Sequence, residues 1–352
     1  MGSYRFAPQN DYLFADHDGP VATKIHNFLV RIHPQEHRRD MAKTPLASPQ
    51  LCGICHAQFM DKDVNGWGWV KMQDDYTAWL NSPYSRQQEQ EFSHDPVTRC
   101  QDCHMPLAPG HAPSADTNGL VRFHRFPGAN TAIPWVTQDR EQLQVVRDFL
   151  RSGKVRIDID EPHEAGATRS AEFVEREARV ETEAPSYFDL GDTANLKVSV
   201  INLLVGHNFP GGTLDIDEAW IAFRVVDAQN QLVYESGGLL DSGAVDPQAD
   251  FYRSTSVDRK GKHVWRHDLF NVIGNSYENF VPAGGTDIAE YTFPIPYWAK
   301  SPLTASAVLR YRKLNIKYAR WALQDDTIDL PIVDMARDAI SIPVRYKAEV
   351  ER

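Results

Sequence analysis

Hydrophobic positions follow two different periods in the two halves of the chain. Between residues 140 and 152 the apolar residues recur every three or four positions, which predicts an amphipathic helix. Asp139 is suited to cap its start and Gly153 to end it. A shorter stripe of the same period predicts a helix over 73–81. The remainder of the first half is rich in Pro, Gly and Asn, which is typical of loops.

From about residue 165 onward the period changes to two. The apolar members of three alternating runs are Leu196, Val198 and Val200; Ile221, Phe223 and Val225; and Ala305, Ala307, Leu309 and Tyr311. Turn signals at 227–230 and 282–285 separate such runs. Short alternating strands between turns indicate an antiparallel β-sandwich.

Together these patterns predict an α+β protein of two domains. A mainly helical and loop domain over 1–160 precedes an antiparallel β-sandwich domain over 161–352, and the acidic stretch 156–170 is the expected connection. Asp215, Asp217 and Glu218 cluster after a glycine turn; we expect a solvated turn, because the fuller ligand spacing of a calcium site is missing.

The composition of the chain limits the classes of partner that we expect. The chain of 352 residues carries 48 acidic and 37 basic residues, a formal net charge of −11, and it contains no long Lys/Arg run. Nucleic acid is therefore not an expected partner. No stretch approaches the ~20 apolar residues of a membrane helix, so we expect no transmembrane segment in this chain. The acidic balance favours basic partners or simply keeps the protein dispersed.

The four cysteines carry the most specific signal. They form two C-x-x-C pairs, each followed directly by histidine: Cys52-Gly53-Ile54-Cys55-His56 and Cys100-Gln101-Asp102-Cys103-His104. This is the attachment signature of c-type haem, in which two thiols bond to one porphyrin edge and the adjacent imidazole binds the iron. The sequence therefore predicts two covalently bound haems. Cys52, Cys55, Cys100 and Cys103 attach them, and His56 and His104 are iron ligands.

Other uses of paired cysteines match less well. A zinc site would need all four thiolates on one metal, yet the 44 residues of 56–99 separate the pairs, compared with about 15–20 in zinc ribbons. Zinc also gives the two following histidines no role. A redox pair is expected near a βαβ pattern, and neither motif has one. Two disulfides would likewise leave the histidines unexplained.

The second axial ligand of each iron must come from elsewhere in the chain. His124 lies in His-Arg-Phe-Pro-Gly-Ala-Asn and His207 in His-Asn-Phe-Pro-Gly-Gly, two similar turns that each present one imidazole. Local chemistry leaves two readings equally open, an iron ligand or a histidine that hydrogen-bonds its own backbone.

The sequence resembles a dihaem branch of the multihaem cytochrome c family, with a C-terminal β-sandwich domain. The resembling stretches are 92–106, 124–134, 205–213 and 311–315, within a region of roughly 40–320. The resemblance implies bis-histidine ligation with His124 and His207 as the distal ligands, so that the second domain helps to complete a haem site. His33, His37 and Met41 are reserve candidates.

These features predict an electron carrier between redox protein partners, with other multihaem cytochromes as candidate partners. Covalent haem attachment normally implies export, so we expect a periplasmic or cell-surface protein, although residues 1–5 lack the features of a secretory signal. The alternative is a haem enzyme, a reductase or peroxidase-like protein, in which one iron keeps an open position and Arg122 or Arg125 donates protons. The sandwich domain would also suit a docking role.

Overall fold

The computed structural model describes residues 19–33, 35, 44–85, 97–110, 115–160 and 187–346. The chain divides into two compact units, Met1–Gly128 and Ala129–Arg352. This division falls before the boundary that the sequence predicts after residue 160. Within the described parts of the chain, no helix has both the length and the apolar character needed to cross a membrane.

The first unit combines short helices with two small antiparallel hairpins. Its elements are α1 (Pro20–Ile32), a 3-10 turn (Thr44–Ala47), α2 (Pro49–Gly53), β1 (Ala57–Met60), α3 (Lys62–Asn65), β2 (Val70–Asp74), α4 (Asp75–Leu80), α5 (Cys100–His104), β3 (Leu107–Pro109) and β4 (Leu120–Arg122). Strand β1 pairs with β2, and β3 with β4.

Helix α4 begins two residues later than the apolar stripe predicts. Gln73 and Asp74 belong to β2, where they pair with Gln58 and Ala57. Asp74 then caps the helix, since its Oδ1 accepts the Thr77 amide at 3.0 Å. The helix therefore follows the strand directly, with no loop between them.

The second unit is mainly β structure. Its elements are α6 (Ala132–Val136), α7 (Arg140–Leu150), β5 (Val155–Ile159), β6 (Phe188–Asp189), β7 (Thr193–Asn202), β8 (Glu218–Val226), β9 (Leu232–Ser236), β10 (Phe251–Tyr252), β11 (Ser254–Val257), a 3-10 turn (Leu269–Asn271), β12 (Gly274–Glu278), β13 (Thr286–Pro294), β14 (Leu303–Arg312), α8 (Ile316–Leu323), β15 (Val333–Ile342) and β16 (Val344–Arg345). One antiparallel sheet has the order β10-β8-β14-β15, with β9 also on β8, and another the order β13-β7-β5.

Two local predictions in this unit are confirmed. Helix α7 starts where Asp139 accepts the Gln142 amide at 2.9 Å, and Gly153 follows its end with a φ of 75°. The predicted strand positions are also buried: Leu196, Val198, Val200, Ile221, Phe223, Val225, Ala305, Ala307, Leu309 and Tyr311 are at most 1% exposed.

Residues from both sheets share one apolar core. Phe223 of β8 stacks on Tyr291 of β13 with ring centroids 4.1 Å apart, and Val198 of β7 lies in the same cluster. Burying an aliphatic or aromatic side chain of this size contributes about 1.5–3 kcal/mol. On this packing we propose the β-sandwich as the fold of the second unit.

The predicted connection over 156–170 is wrong in its first part. Residues 156–159 belong to β5, which pairs with β7, while 161–170 lie outside the described residues. Val155, Ile157 and Ile159 are 2%, 2% and 6% exposed, so this segment is a strand with one buried face. The acidic residues in and after this segment favour an exposed linker, although its apolar residues alternate.

The predicted solvated turn at 215–218 is also wrong. Asp217 and Glu218 are 1% and 5% exposed. Arg312 donates from Nε and Nη2 to Glu218 Oε2 at 3.0 and 2.6 Å, and Lys313 donates to Asp217 Oδ1 at 2.8 Å. Burial raises the pKa of Asp217 to about 6 in spite of Lys313. The basic partners come from the end of β14, far away in sequence.

Candidate haem site

The first attachment motif forms one helical turn. Helix α2 contains Cys52, and the His56 and Cys55 amides donate to the Cys52 carbonyl at 2.9 and 3.1 Å. Residues at i, i+3 and i+4 lie on one side of a helix, so both thiols and the imidazole share a face. Gly53 packs closely here, because a Cβ at this position would lie 2.7 Å from ring carbons of Tyr76.

The second motif is the whole of helix α5. Arg122 holds this helix: it donates to Asp102 Oδ1 at 2.7 Å and to the carbonyls of Gln101 and Met105, both at 3.1 Å. A cation at the carboxyl end of a helix also matches the helix dipole. Because the guanidinium of Arg122 is hydrogen-bonded to α5, it is not positioned to donate protons to a substrate, as the enzyme alternative requires.

The two motifs lie next to each other. Gln101 donates to the Ser48 carbonyl at 2.8 Å, and Arg99 donates to the Ala47 carbonyl at 3.2 Å. The Cys52 and Cys100 thiols hydrogen-bond to each other; this bond lowers the pKa of Cys52 to about 6 and raises that of Cys100. Thioether bonds would remove both thiol protons and with them both shifts.

Each proximal imidazole has a partner at Nδ1, but the partners differ. His56 Nδ1 lies 3.4 Å from Asp75 Oδ2 and 2.9 Å from Gln73 Nε2, while Gln73 donates to the same carboxylate oxygen at 2.8 Å. The hydrogen bond with Asp75 raises the pKa of His56. His104 Nδ1 lies 2.6 Å from the carbonyl oxygen of Pro127. An occupied Nδ1 orients the ring and makes Nε2 the nitrogen suited to iron.

Sequence reasoning missed these partners. Asp75 and Gln73 are 19 and 17 residues from His56, and the β1–β2 hairpin brings them to the imidazole. Pro127 reaches His104 through the loop after β4. The Pro-Gly turn after His124 was a visible signal for that loop, but it does not say which residue the loop contacts.

The aromatic side chains between the motifs play two different roles. Trp79 is 8% exposed, and its indole nitrogen donates to the Thr98 carbonyl at 2.9 Å, next to the second motif. Trp67 and Trp69 are 47% and 66% exposed, and Trp69 stacks on Phe59 at 5.1 Å. Only the buried member belongs to an ordinary core; the exposed pair could pack on a porphyrin.

His124 lies in the first unit, as do both attachment motifs. Its side chain is exposed, in the loop after β4, with its ring 6.0 Å from that of Phe126 in an edge-on arrangement. Three residues later, the Pro127 carbonyl contacts Nδ1 of His104. The loop therefore supports His104 on the side of the ring away from the iron-binding nitrogen.

His207 lies in the second unit, in the turn after β7. Its Nδ1 is 2.7 Å from the Asn208 carbonyl, and its own carbonyl accepts from Asn202 at 2.9 Å. Its role as a distal ligand stays a prediction. Among the reserves, His33 is exposed at the end of α1, whereas His37 and Met41 lie outside the described residues.

The donor set fits haem c better than the alternatives. The four cysteines, all within the described residues, form no disulfide. No group of three or more His, Cys, Asp or Glu side chains in the described part of the chain is arranged to hold a metal ion, so the four thiols do not converge as a zinc site requires. Two separate turns that each present two thiols and one imidazole match the requirement of two porphyrins.

Comparisons with known proteins give no family. No family model matches the chain, and no curated protein sequence matches it. Among solved structures, a penta-heme cytochrome c552 from Thermochromatium tepidum has a TM-score of 0.46 and 15% identity, covering 84% of this chain and 57% of that one. The CARDB domain of the PF1109 protein from Pyrococcus furiosus has a TM-score of 0.22 and 7% identity, covering 55% and 86%. Sporulation control protein Spo0M from Bacillus subtilis has a TM-score of 0.20 and 12% identity, covering 55% and 51%. At TM-scores below 0.5 these likenesses establish neither a shared fold nor a shared function.

Proposed function

We propose that this chain is a dihaem c-type cytochrome that passes electrons between redox partner proteins outside the cytoplasm. The observation that carries the proposal is the pair of helical turns, each with two thiols and an imidazole on one face and an acceptor at the imidazole Nδ1. This arrangement meets the needs of covalent attachment and axial ligation together.

The chain's own residues would attach, orient and space the two cofactors. Haem, when bound, supplies one-electron exchange. The four cysteines would attach the two haems, and His56 and His104 would bind the irons. The hydrogen bonds that join the segment 47–48 to Arg99 and Gln101 hold the two attachment turns side by side, which supports electron exchange between the haems.

A closed ligand shell at each iron distinguishes a carrier from an enzyme. His124 and His207 are the proposed second ligands, one for each iron. The loop that carries His124 also contacts His104 at Nδ1, through the Pro127 carbonyl.

The test is to express the chain in a host with haem-attachment machinery and to measure its mass and its reduced spectrum with and without carbon monoxide. We expect the mass of two haems and an unchanged spectrum, because closed irons have no position for the gas. His124→Ala and His207→Ala should then each open one haem to carbon monoxide. Stoichiometric binding by the native protein at one haem would contradict the carrier proposal and favour the enzyme alternative; a mass without haem would contradict both.

A further inference from the structure

The two proximal histidines differ in the chemistry behind them. His56 faces a carboxylate, Asp75 Oδ2, at 3.4 Å, whereas His104 faces a neutral backbone carbonyl, that of Pro127, at 2.6 Å. This contrast changes the environment of one iron relative to the other.

We propose that Asp75 is a positioning residue that gives the haem of the first motif the lower reduction potential, so that the first electron to enter the protein resides on the haem of the second motif. This inference rests on the proposed function. Iron at Nε2 leaves the imidazole proton on Nδ1, where a carboxylate acceptor increases the electron donation of the ring to iron. A more basic ligand stabilises ferric over ferrous haem and thus lowers the potential.

The structure holds the carboxylate in place for this contact. Gln73 donates to Asp75 Oδ2 at 2.8 Å, and its Nε2 also lies 2.9 Å from His56 Nδ1. Because an amide N–H cannot donate to an Nδ1 that carries a proton, Asp75 Oδ2 at 3.4 Å is the acceptor for the ring when iron is bound at Nε2. Asp75 is only 19% exposed, which limits the screening of its charge by water.

The neighbouring residue provides a matched control. Asp74 carries the same charge one position away, but its carboxylate accepts the Thr77 amide at 3.0 Å as the cap of α4. Asp74→Asn and Asp75→Asn therefore remove the same charge at nearly the same place. Only Asp75→Asn removes the carboxylate from His56.

The experiment is an anaerobic dithionite titration of the full dihaem protein, followed by its visible spectrum and by ferric EPR. Each step places one electron from the titrant on one ferric haem, without ligand loss. We expect two separated steps in the native protein. Asp75→Asn should raise the lower step and leave the upper one unchanged, Asp75→Glu should restore it, and Asp74→Asn should move neither.

Several results would overturn the proposal. If the two steps coincide in the native protein, the two haems do not differ in reduction potential. If Asp74→Asn and Asp75→Asn shift the lower step equally, the effect of Asp75 is that of any nearby charge and does not depend on its contact with His56. If Asp75→Asn fails to bind its first haem, the native EPR spectrum at intermediate potential decides. The haem that remains ferric longest must then show the stronger axial ligand field. Failure of the proposed function is distinct, since it appears earlier, as missing haem mass or carbon monoxide binding.

Discussion

The buried ion pair of Glu218 and Arg312 provides a sharp test of the second unit. Arg312 is fully buried, and two of its nitrogens donate to Glu218 Oε2 at 3.0 and 2.6 Å. A third donates to the Gly243 carbonyl at 2.8 Å. The change Glu218→Gln keeps the shape of the side chain but leaves the guanidinium charge without its counterion.

Removing one partner of a buried ion pair costs about 3–5 kcal/mol, because the remaining charge stays desolvated. Arg253, 3.8 Å from Glu218 Oε1, loses its counterion as well, so the upper part of this range applies. The exposed pair Lys197–Glu290 is the matched control, with an N–O distance of 3.5 Å and side chains 46% and 55% exposed. There Glu290→Gln should cost about 0.2–1 kcal/mol.

Urea denaturation followed by far-UV circular dichroism measures the difference. With an m-value of about 2–3 kcal/mol/M, Glu218→Gln should lower the midpoint by roughly 1.3–2.5 M, and Glu290→Gln by at most about 0.5 M. The double replacement of Glu218 by Leu and Arg312 by Met should recover most of the loss, because it buries no charge. Equal midpoints for the two Gln variants would refute the burial of this pair.

Two further predictions concern a buried acid and a closely packed glycine. The pKa of Asp217, raised from 3.8 to about 6, means that its ionisation opposes folding. Stability should fall by about 2–3 kcal/mol as pH rises from 4 to 6, at ~1.4 kcal/mol per pKa unit, and Asp217→Asn should remove this fall in urea midpoints measured across that pH range. Gly53→Ala places a Cβ 2.7 Å from the Tyr76 ring and should lower the free energy of unfolding by about 1–3 kcal/mol. Mass spectrometry of this variant should also show less haem attached at the first motif. Gly68→Ala, with open space around its Cβ, should have neither effect.

The elements that could be predicted are those whose signal is local. The strand faces at Leu196–Val200 and Ile221–Val225 follow directly from alternation, since a period of two sends every second side chain to the same side. The helix 140–150 follows from its stripe and its cap. By contrast, the sequence predicts a connection from residue 156, because the pairing with β7 that turns Ile157 and Ile159 inward is a long-range event.

For the candidate site, sequence alone determined the attachment chemistry. In Cys-x-x-Cys-His the first cysteine and the histidine are only four residues apart. One helical turn therefore brings the thiols and the imidazole together whatever surrounds the motif. Only the tertiary structure decided what stands behind each imidazole. The β1–β2 hairpin sets Asp75 at His56, and the loop after β4 sets the Pro127 carbonyl at His104. These second partners come from residues about 20 positions away, and which chain segment fills that position depends on the packing of the whole unit.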